Sequence, residues 1–367
     1  MVRLVAVVAI VILAGLTALM QFGVLPNPFE RTPAVPPVPP LLTSLEGDDV
    51  AAVRAALEAG ADPTQVDANG RTALMVAAMH ASPAALEALL EHAAPVDQRA
   101  ADGTTALMLA LRHARTAESA LLLLNAGANP TLVDAAGNGV LHYADQNGAV
   151  RNSGLYPRLR ELSELPFFEG WPSGYVVPVP GSTLSSRAAH WPNAPRAYRN
   201  GTHEGFDFYD GAVSGAPIAY GTAIVSMAAG TVVRADHDYV EMTREEYDEV
   251  IQASRSSMVT PGDLLDALRG MQVWIEHPGG FLTRYAHLSG IPGEVVVGAR
   301  VEQGQVIGFT GNSGTIEAAD GTQDDPHPHV EIWRGESYLG QGREPAEIFE
   351  MARQLFGSRG LPPRWAP

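Results

Sequence analysis

The sequence contains neither cysteine nor lysine. Without cysteine there is no disulfide, no thiolate metal site, no cysteine nucleophile and no amino-terminal lipidated cysteine. All 24 basic residues are arginine, against 41 acidic ones, and the formal charge is −17. That balance offers no basic stripe to follow a phosphate backbone, so no nucleic-acid partner is expected. Charged residues make up only 18% of the chain and hydrophobic ones 46%, the texture of material with a real core. A chain of 367 residues is long for one domain, and two domains with connecting segments are expected.

The first segment, VRLVAVVAIVILAGLTALMQFGVL, places Arg3 before an uncharged run from Leu4 to Leu25 broken only by Thr17 and Gln21. At 1.5 Å per residue it is long enough to cross a bilayer core of about 30 Å. Residues 1–25 therefore read as a transmembrane anchor, with a cleaved signal segment as the competing reading. In either case Arg3 favours the cytoplasmic side for the amino terminus and export for the remainder of the chain. A Pro-rich linker comes next (26–41, with PNPFERTPAVPPVPP at 26–40), expected to be an extended stalk.

Three blocks then repeat: GADPTQVDANGRTALMVAA (60–78), AAPVDQRAADGTTALMLAL (93–111) and GANPTLVDAAGNGVLHYAD (127–145). Leu74, Leu107 and Leu141 are spaced by 33 and 34 residues, with helical runs such as PAALEALLEHA between the blocks. A unit of this length, with a turn and two short helices, resembles the ankyrin repeat. The TAL stretches stand where that family has its T-P-L-H turn. The resemblance covers 42–165 and implies an all-α solenoid with a partner-binding surface, and no chemistry. His80, His92, His113 and His142 fall inside it and read as structural or solvated.

From residue 166 to 367 the texture changes to short β-like runs punctuated by glycine, as in GTAIVSMAAGTVVRA and MQVWIEHPGGFLTRYAHL. They predict a mainly antiparallel β domain, with a core at 175–350. The segment 241–271 interrupts it as a helical insertion. Thr243 with Glu246 forms a capping-box pattern, and Thr260, Pro261 and Asp263 a second helix start. The insertion is read either as a lid or as decoration.

Histidines recur in the β domain beside carboxylates. His203 stands four residues before Asp207, His287 ends an aromatic-containing strand, and His327 and His329 flank a proline at the entry to another. Two imidazoles at i and i+2 of a strand share a face; they can share a metal, divide metal and proton between them, or be ordinary surface residues. Imidazole and carboxylate suit Zn²⁺, and a catalytic zinc takes three protein ligands with one open position. Glu331 falls on the same strand face by parity, with a partnership to an imidazole N–H and a plain structural role both open.

HEGFD (203–207), YAHL (285–288) and HPH (327–329) occur in the order of three motifs of the lysostaphin-type (LytM-type) zinc peptidases, which the β domain resembles. The resemblance implies hydrolysis of peptide bonds in bacterial cell-wall peptidoglycan. It implies that His203, Asp207 and His329 hold Zn²⁺, and that His287 and His327 work on the water and the transition state. An alternative keeps the fold without the reaction: a catalytically silent wall-binding activator or scaffold for another hydrolase. A third places the main function in the repeats, with the β domain only a wall anchor.

Three features depart from the family pattern. Pro328 sits between the two histidines and, lacking an N–H, predicts an edge strand. An acidic segment, TIEAADGTQDDP (315–326), precedes HPH, and the third departure is the 241–271 insertion itself. His237 and His277 flank the insertion and are assigned structural roles. Asp210, Asp320, Asp324 and Asp325 read as solvated loop charges, with Asp325 near enough in sequence to orient His327. The expected setting is the inner membrane of a diderm bacterium, with the catalytic region facing the periplasm.

Overall fold

The structure is a computed structural model that describes residues 40–80, 82–164 and 167–362. The anchor or signal expected at 1–25, and all but the last two residues of the 26–41 linker, lie outside the described residues. Among those described, no helix is long and apolar enough to cross a membrane.

Short helices build the repeat region: α1 (Leu41–Glu46), α2 (Val50–Glu58), α3 (Ala73–His80), α4 (Pro83–Glu91), α5 (Ala106–His113), α6 (Glu118–Asn125), α7 (Val140–Asp145), α8 (Gly148–Arg151) and α9 (Leu155–Glu164). The TAL pattern works as a helix start. The hydroxyls of Thr72 and Thr105 accept from the amides of Met75 and Met108, three residues on, at the first turns of α3 and α5. Leu74 and Leu107, two residues after each threonine, are fully buried. In the third unit Gly139 replaces the threonine and no side chain caps α7. Asp67 and Asp134, equivalent positions, each accept two backbone amides and close the turns before α3 and α7. One apolar core runs through this stack from Leu41 to Leu162.

A second core, from Tyr175 to Leu361, belongs to the β domain. Its strands are β1 (Pro195–Arg196), β2 (Gly201–Thr202), β3 (Phe206–Asp207), β4 (Ala223–Val225), β5 (Gly230–Ala235), β6 (Val273–His277), β7 (Phe281–Ala286), β8 (Leu288–Gly290), β9 (Arg300–Val301), β10 (Val306–Thr310), β11 (His329–Arg334) and β12 (Ser337–Tyr338). The larger sheet has the order β12-β11-β7-β6-β5-β9 with β3 also paired to β11; β4-β10-β8 form a second sheet and β1-β2 a ribbon. The registered pairs are antiparallel. The insertion lies between β5 and β6 and forms α10 (Arg244–Ser256) and α11 (Gly262–Arg269); α12 (Ile316–Ala319) lies in the acidic segment, and α13 (Pro345–Phe356) packs near the end of the chain.

Two local expectations need correction. β11 is not an edge strand: it pairs with β7 on one side and with β3 and β12 on the other. Pro328 stands just before the strand, where its missing N–H removes no ladder bond, and its carbonyl accepts from Phe208 N at 3.1 Å. The Thr243–Glu246 capping box is present, and α11 starts at Gly262 after Pro261 as the second helix start predicts, but Thr260 does not cap it. Its hydroxyl instead accepts from Arg199 Nη1 at 3.0 Å and donates to the Arg199 carbonyl at 2.7 Å.

The repeats pack directly on the β domain. Ser173 N–H donates to Leu124 O at 3.0 Å, and Arg158 Nη2 donates to the carbonyls of Gln354 and Leu355 at the end of α13, each at 2.9 Å. Arg300 on β9 pairs with Glu87 and Glu91 of α4. Gly279, in the β6–β7 turn, lies against the Ala126 backbone. From that turn β7 runs through Phe281–Ala286 toward His287, about 20 Å at 3.3 Å per residue. The repeats therefore sit at the strand ends remote from the histidine cluster.

Candidate metal centre

The sheet register brings the first and third motifs together. His329 is directly opposite Asp207 of β3 on one side and Ala286 of β7 on the other, and His287 follows Ala286. Gly205 is required for this approach, because a Cβ there would run into the Val330 carbonyl of β11. His203 is fixed by an exchange of backbone hydrogen bonds with Asn193 and Ala194, at 2.8 and 2.9 Å.

Three atoms converge: Asp207 Oδ1 lies 2.8 Å from His203 Nε2 and 2.7 Å from His329 Nδ1, and the two nitrogens are 2.9 Å apart. All three residues are buried. The opposite ring atoms settle the tautomers. His203 Nδ1 faces the Trp191 carbonyl at 2.9 Å, which can only accept, so Nδ1 carries the proton and Nε2 is bare. His329 Nε2 donates to Glu331 Oε1 at 2.9 Å, which in the neutral ring leaves Nδ1 bare. Two imidazole lone pairs and a carboxylate oxygen thus face one another among buried side chains, an arrangement that calls for a cation among them. Two neutral nitrogens and one anionic oxygen form a donor set that zinc takes. The residues present fit the metal.

Burial pushes the His203 pKa down to about 4, against the pull of Asp207. Burial opposes the charge on Asp207, but the imidazoles beside it outweigh that and hold its carboxyl well below the usual range. Burial also opposes a cation at His329, yet the carboxylates of Asp207 and Glu331 beside its two ring nitrogens leave its pKa raised. With no cation among the three atoms a proton on Nδ1 is held by Asp207, and a metal would take that proton's place. Arg196 Nη2 donates to Asp207 Oδ2 at 3.0 Å, fixing the carboxylate's other oxygen.

The remaining two motif histidines stand alongside. The His287 ring centroid is 5.0 Å from that of His327 and 5.8 Å from that of His329. His287 Nδ1–H donates to Ser313 O and His327 Nδ1–H to Asp325 O, both at 2.8 Å, so Nε2 is the bare atom on each. It is the backbone of Asp325, not its carboxylate, that orients His327. His287 has φ of 58°, strained for a non-glycine residue. Burial first, then the neighbouring His327 and His329, keeps His287 well below its ordinary pKa and therefore neutral. Tyr209 stacks on His327 with centroids 4.4 Å apart and planes 21° apart.

These five residues line one cleft of about 780 Å³, whose facing wall includes Tyr247 and Ile251 of α10 and Leu265 and Leu268 of α11. The insertion is a wall of the cleft. The acidic segment joins it through Arg244, which pairs with Asp320 at 2.9 Å. His237 and His277 lie apart from the cluster: His237 Nε2 donates to Val295 O, and His277 is buried between Ala229 O and Thr283 Oγ1. Asp210 is a turn residue, accepting from Ile218 N.

The sequence reasoning missed Arg196, Tyr209, Glu204 and Arg269. Tyr209 has the parity of Asp207 in FDFY and was findable by alternation. Arg196 and Arg269 lie outside any motif, and only folding brings them in.

No curated protein matches the chain. Residues 42–134 match ankyrin repeats in three copies, and residues 241–341 match Peptidase family M23. The second match takes in His287, His327 and His329, while His203 and Asp207 precede it. It supports a peptidase, and zinc dependence is typical of that family. The chain thus carries ankyrin repeats at 42–134 followed by a Peptidase family M23 domain at 241–341.

Proposed function

We propose that the chain is a zinc-dependent endopeptidase that hydrolyses peptide bonds in bacterial cell-wall peptidoglycan. The observation that carries this reading is the convergence of His203 Nε2, Asp207 Oδ1 and His329 Nδ1, beside two further histidines with bare Nε2 atoms. His203, Asp207 and His329 would hold the zinc. When bound, zinc supplies Lewis acidity and brings the pKa of a water toward 7.

The chain's own residues do the rest. His287 and His327 have Nδ1–H committed to carbonyls, so each takes or returns a proton at Nε2. A neutral His287 starts the cycle as a base; once protonated it donates to the leaving amine or to the developing oxyanion. Stacking on Tyr209 holds the His327 ring plane. The hydrophobic side chains of α10 and α11 exclude water from the cleft wall.

The segment at 1–25 would tether the enzyme to the inner membrane with the catalytic region in the periplasm, and the repeats would bind a protein partner. The test is metal analysis of the purified chain, with digestion of wall sacculi and identification of the products by mass. About one zinc per chain and release of cleaved stem peptides are expected. Full zinc loading with intact sacculi would instead favour the silent-scaffold reading. Membrane tethering is read separately, by retention of the chain in the membrane fraction after an alkaline wash and its release when residues 1–25 are removed.

A further inference from the structure

The 241–271 insertion contributes more than a cleft wall. Its second helix, α11, ends at Arg269, an arginine only 6% exposed. The guanidinium holds Glu331 with both ends of its fork, Nε to Oε1 at 2.7 Å and Nη2 to Oε2 at 3.1 Å. Nη2 also reaches Glu204 Oε2 at 2.6 Å. Glu204 lies between His203 and Asp207 in the first motif, and Glu331 receives the His329 Nε2–H in the third. The backbone of the same residue serves the second motif: Arg269 O accepts from His287 N–H at 2.9 Å, and Met271 O accepts from Leu288 N–H at 3.2 Å. Gly270 meanwhile lies tight against Ser313, whose carbonyl takes the His287 Nδ1–H.

We infer that Arg269 is a positioning residue for the metal centre, clamping the two ligand-bearing segments from behind through Glu204 and Glu331. The inference rests on the metal reading above. The geometry explains why a fork is needed. Oε2 of Glu331 has other donors, Trp333 Nε1 at 2.6 Å and Arg284 Nη1 at 3.4 Å, but Oε1 has only Arg269 and His329 among the described residues. Without Arg269 the carboxylate is free to turn toward Trp333 and Arg284, and His329 loses the acceptor that fixes its ring and tautomer. A lysine ammonium cannot hold two carboxylates in this forked geometry.

Zinc affinity of the full chain, read by competition with a chromogenic chelator, tests this independently of peptidase activity. Arg269→Met is expected to weaken zinc binding by about 10- to 100-fold, with Arg269→Lys in between. Asp266→Asn is the control: Asp266 ties the same helix to Arg234 on β5 but does not touch Glu331, so zinc affinity should stay within about twofold of wild type. If Arg269→Met does not fold, Arg269→Lys keeps the buried charge and still reports the loss of the fork. The inference is overturned if the folded Arg269 variants bind zinc as wild type does, or if Asp266→Asn loses as much as they do. A wild-type chain that takes up no zinc removes the metal reading itself.

Discussion

His329 and Glu331 stand two residues apart on β11, and the imidazole Nε2–H of the first donates to Oε1 of the second at 2.9 Å. One strand thus supplies both a member of the converging cluster and the acceptor that orients its ring. Glu331, buried with Arg269, His329 and Trp333 all pointing at it, is no incidental neighbour.

If the converging atoms hold zinc, His203→Ala, Asp207→Ala and His329→Ala should each lose most of the roughly one zinc per chain expected of the wild type. His277→Gln, altered outside the cluster, should keep it. Metal analysis after gel filtration decides, and full occupancy in His329→Ala would refute the ligand assignment.

Ligation and proton transfer separate in a second pair of variants. His287→Ala and His327→Ala leave all three converging residues in place, so zinc uptake should persist while turnover falls by about 10²- to 10⁴-fold. Loss of zinc in one of the two but not the other would move that histidine into the ligand set.

Acid sensitivity has an identifiable source away from the converging cluster. Burial holds the His277 pKa down to about 4, against about 6.5 in an unfolded chain. Above pH 6.5 the ring is neutral in both states and costs nothing. As pH falls toward 4 the unfolded chain takes up the proton and the folded one does not, so stability drops, by about 2 kcal/mol at pH 5. Urea unfolding at about pH 7.5 and pH 5 should show the wild type losing that much more than His277→Gln. Equal losses would show that His277 is not the source.

The junction between the repeats and the β domain should matter for stability rather than for the site. A chain beginning at residue 168 loses Arg158 with its two hydrogen bonds to the end of α13, the Leu124 acceptor of Ser173 and the Glu87 and Glu91 partners of Arg300. It should unfold with at least about 2–3 kcal/mol less stability, the loss expected from the charged, buried Arg158 donor alone. With the cluster at the remote strand ends, zinc uptake and digestion of sacculi should survive. A zinc-loaded, folded but inert fragment would make the repeats part of the catalytic unit.

Periodicity and motif order determined a great deal. The 33- and 34-residue spacing of Leu74, Leu107 and Leu141 gave away the stacked helices, because a unit that cannot bury its own apolar face has to repeat. Glycine-punctuated β runs announced the antiparallel sheets, and the spacing of His203, Asp207, His287, His327 and His329 picked out the residues that line one cleft. These features are legible because local spacing sets which side chains share a face.

Long-range partners left no such trace. Pro328 looked like an edge-strand mark, but only the register of β3, β11 and β7 shows that it precedes a strand paired on both sides. Thr260 stood in a helix-start pattern, but nothing local showed that Arg199, 61 residues away, takes its hydroxyl. Arg269, 62 residues before Glu331, belongs to an insertion that sequence left undecided between lid and decoration. A hydrogen bond between residues so far apart has no period to read. It exists only because the chain between them folds so that a buried charge has a partner, and that is what the tertiary structure alone decided.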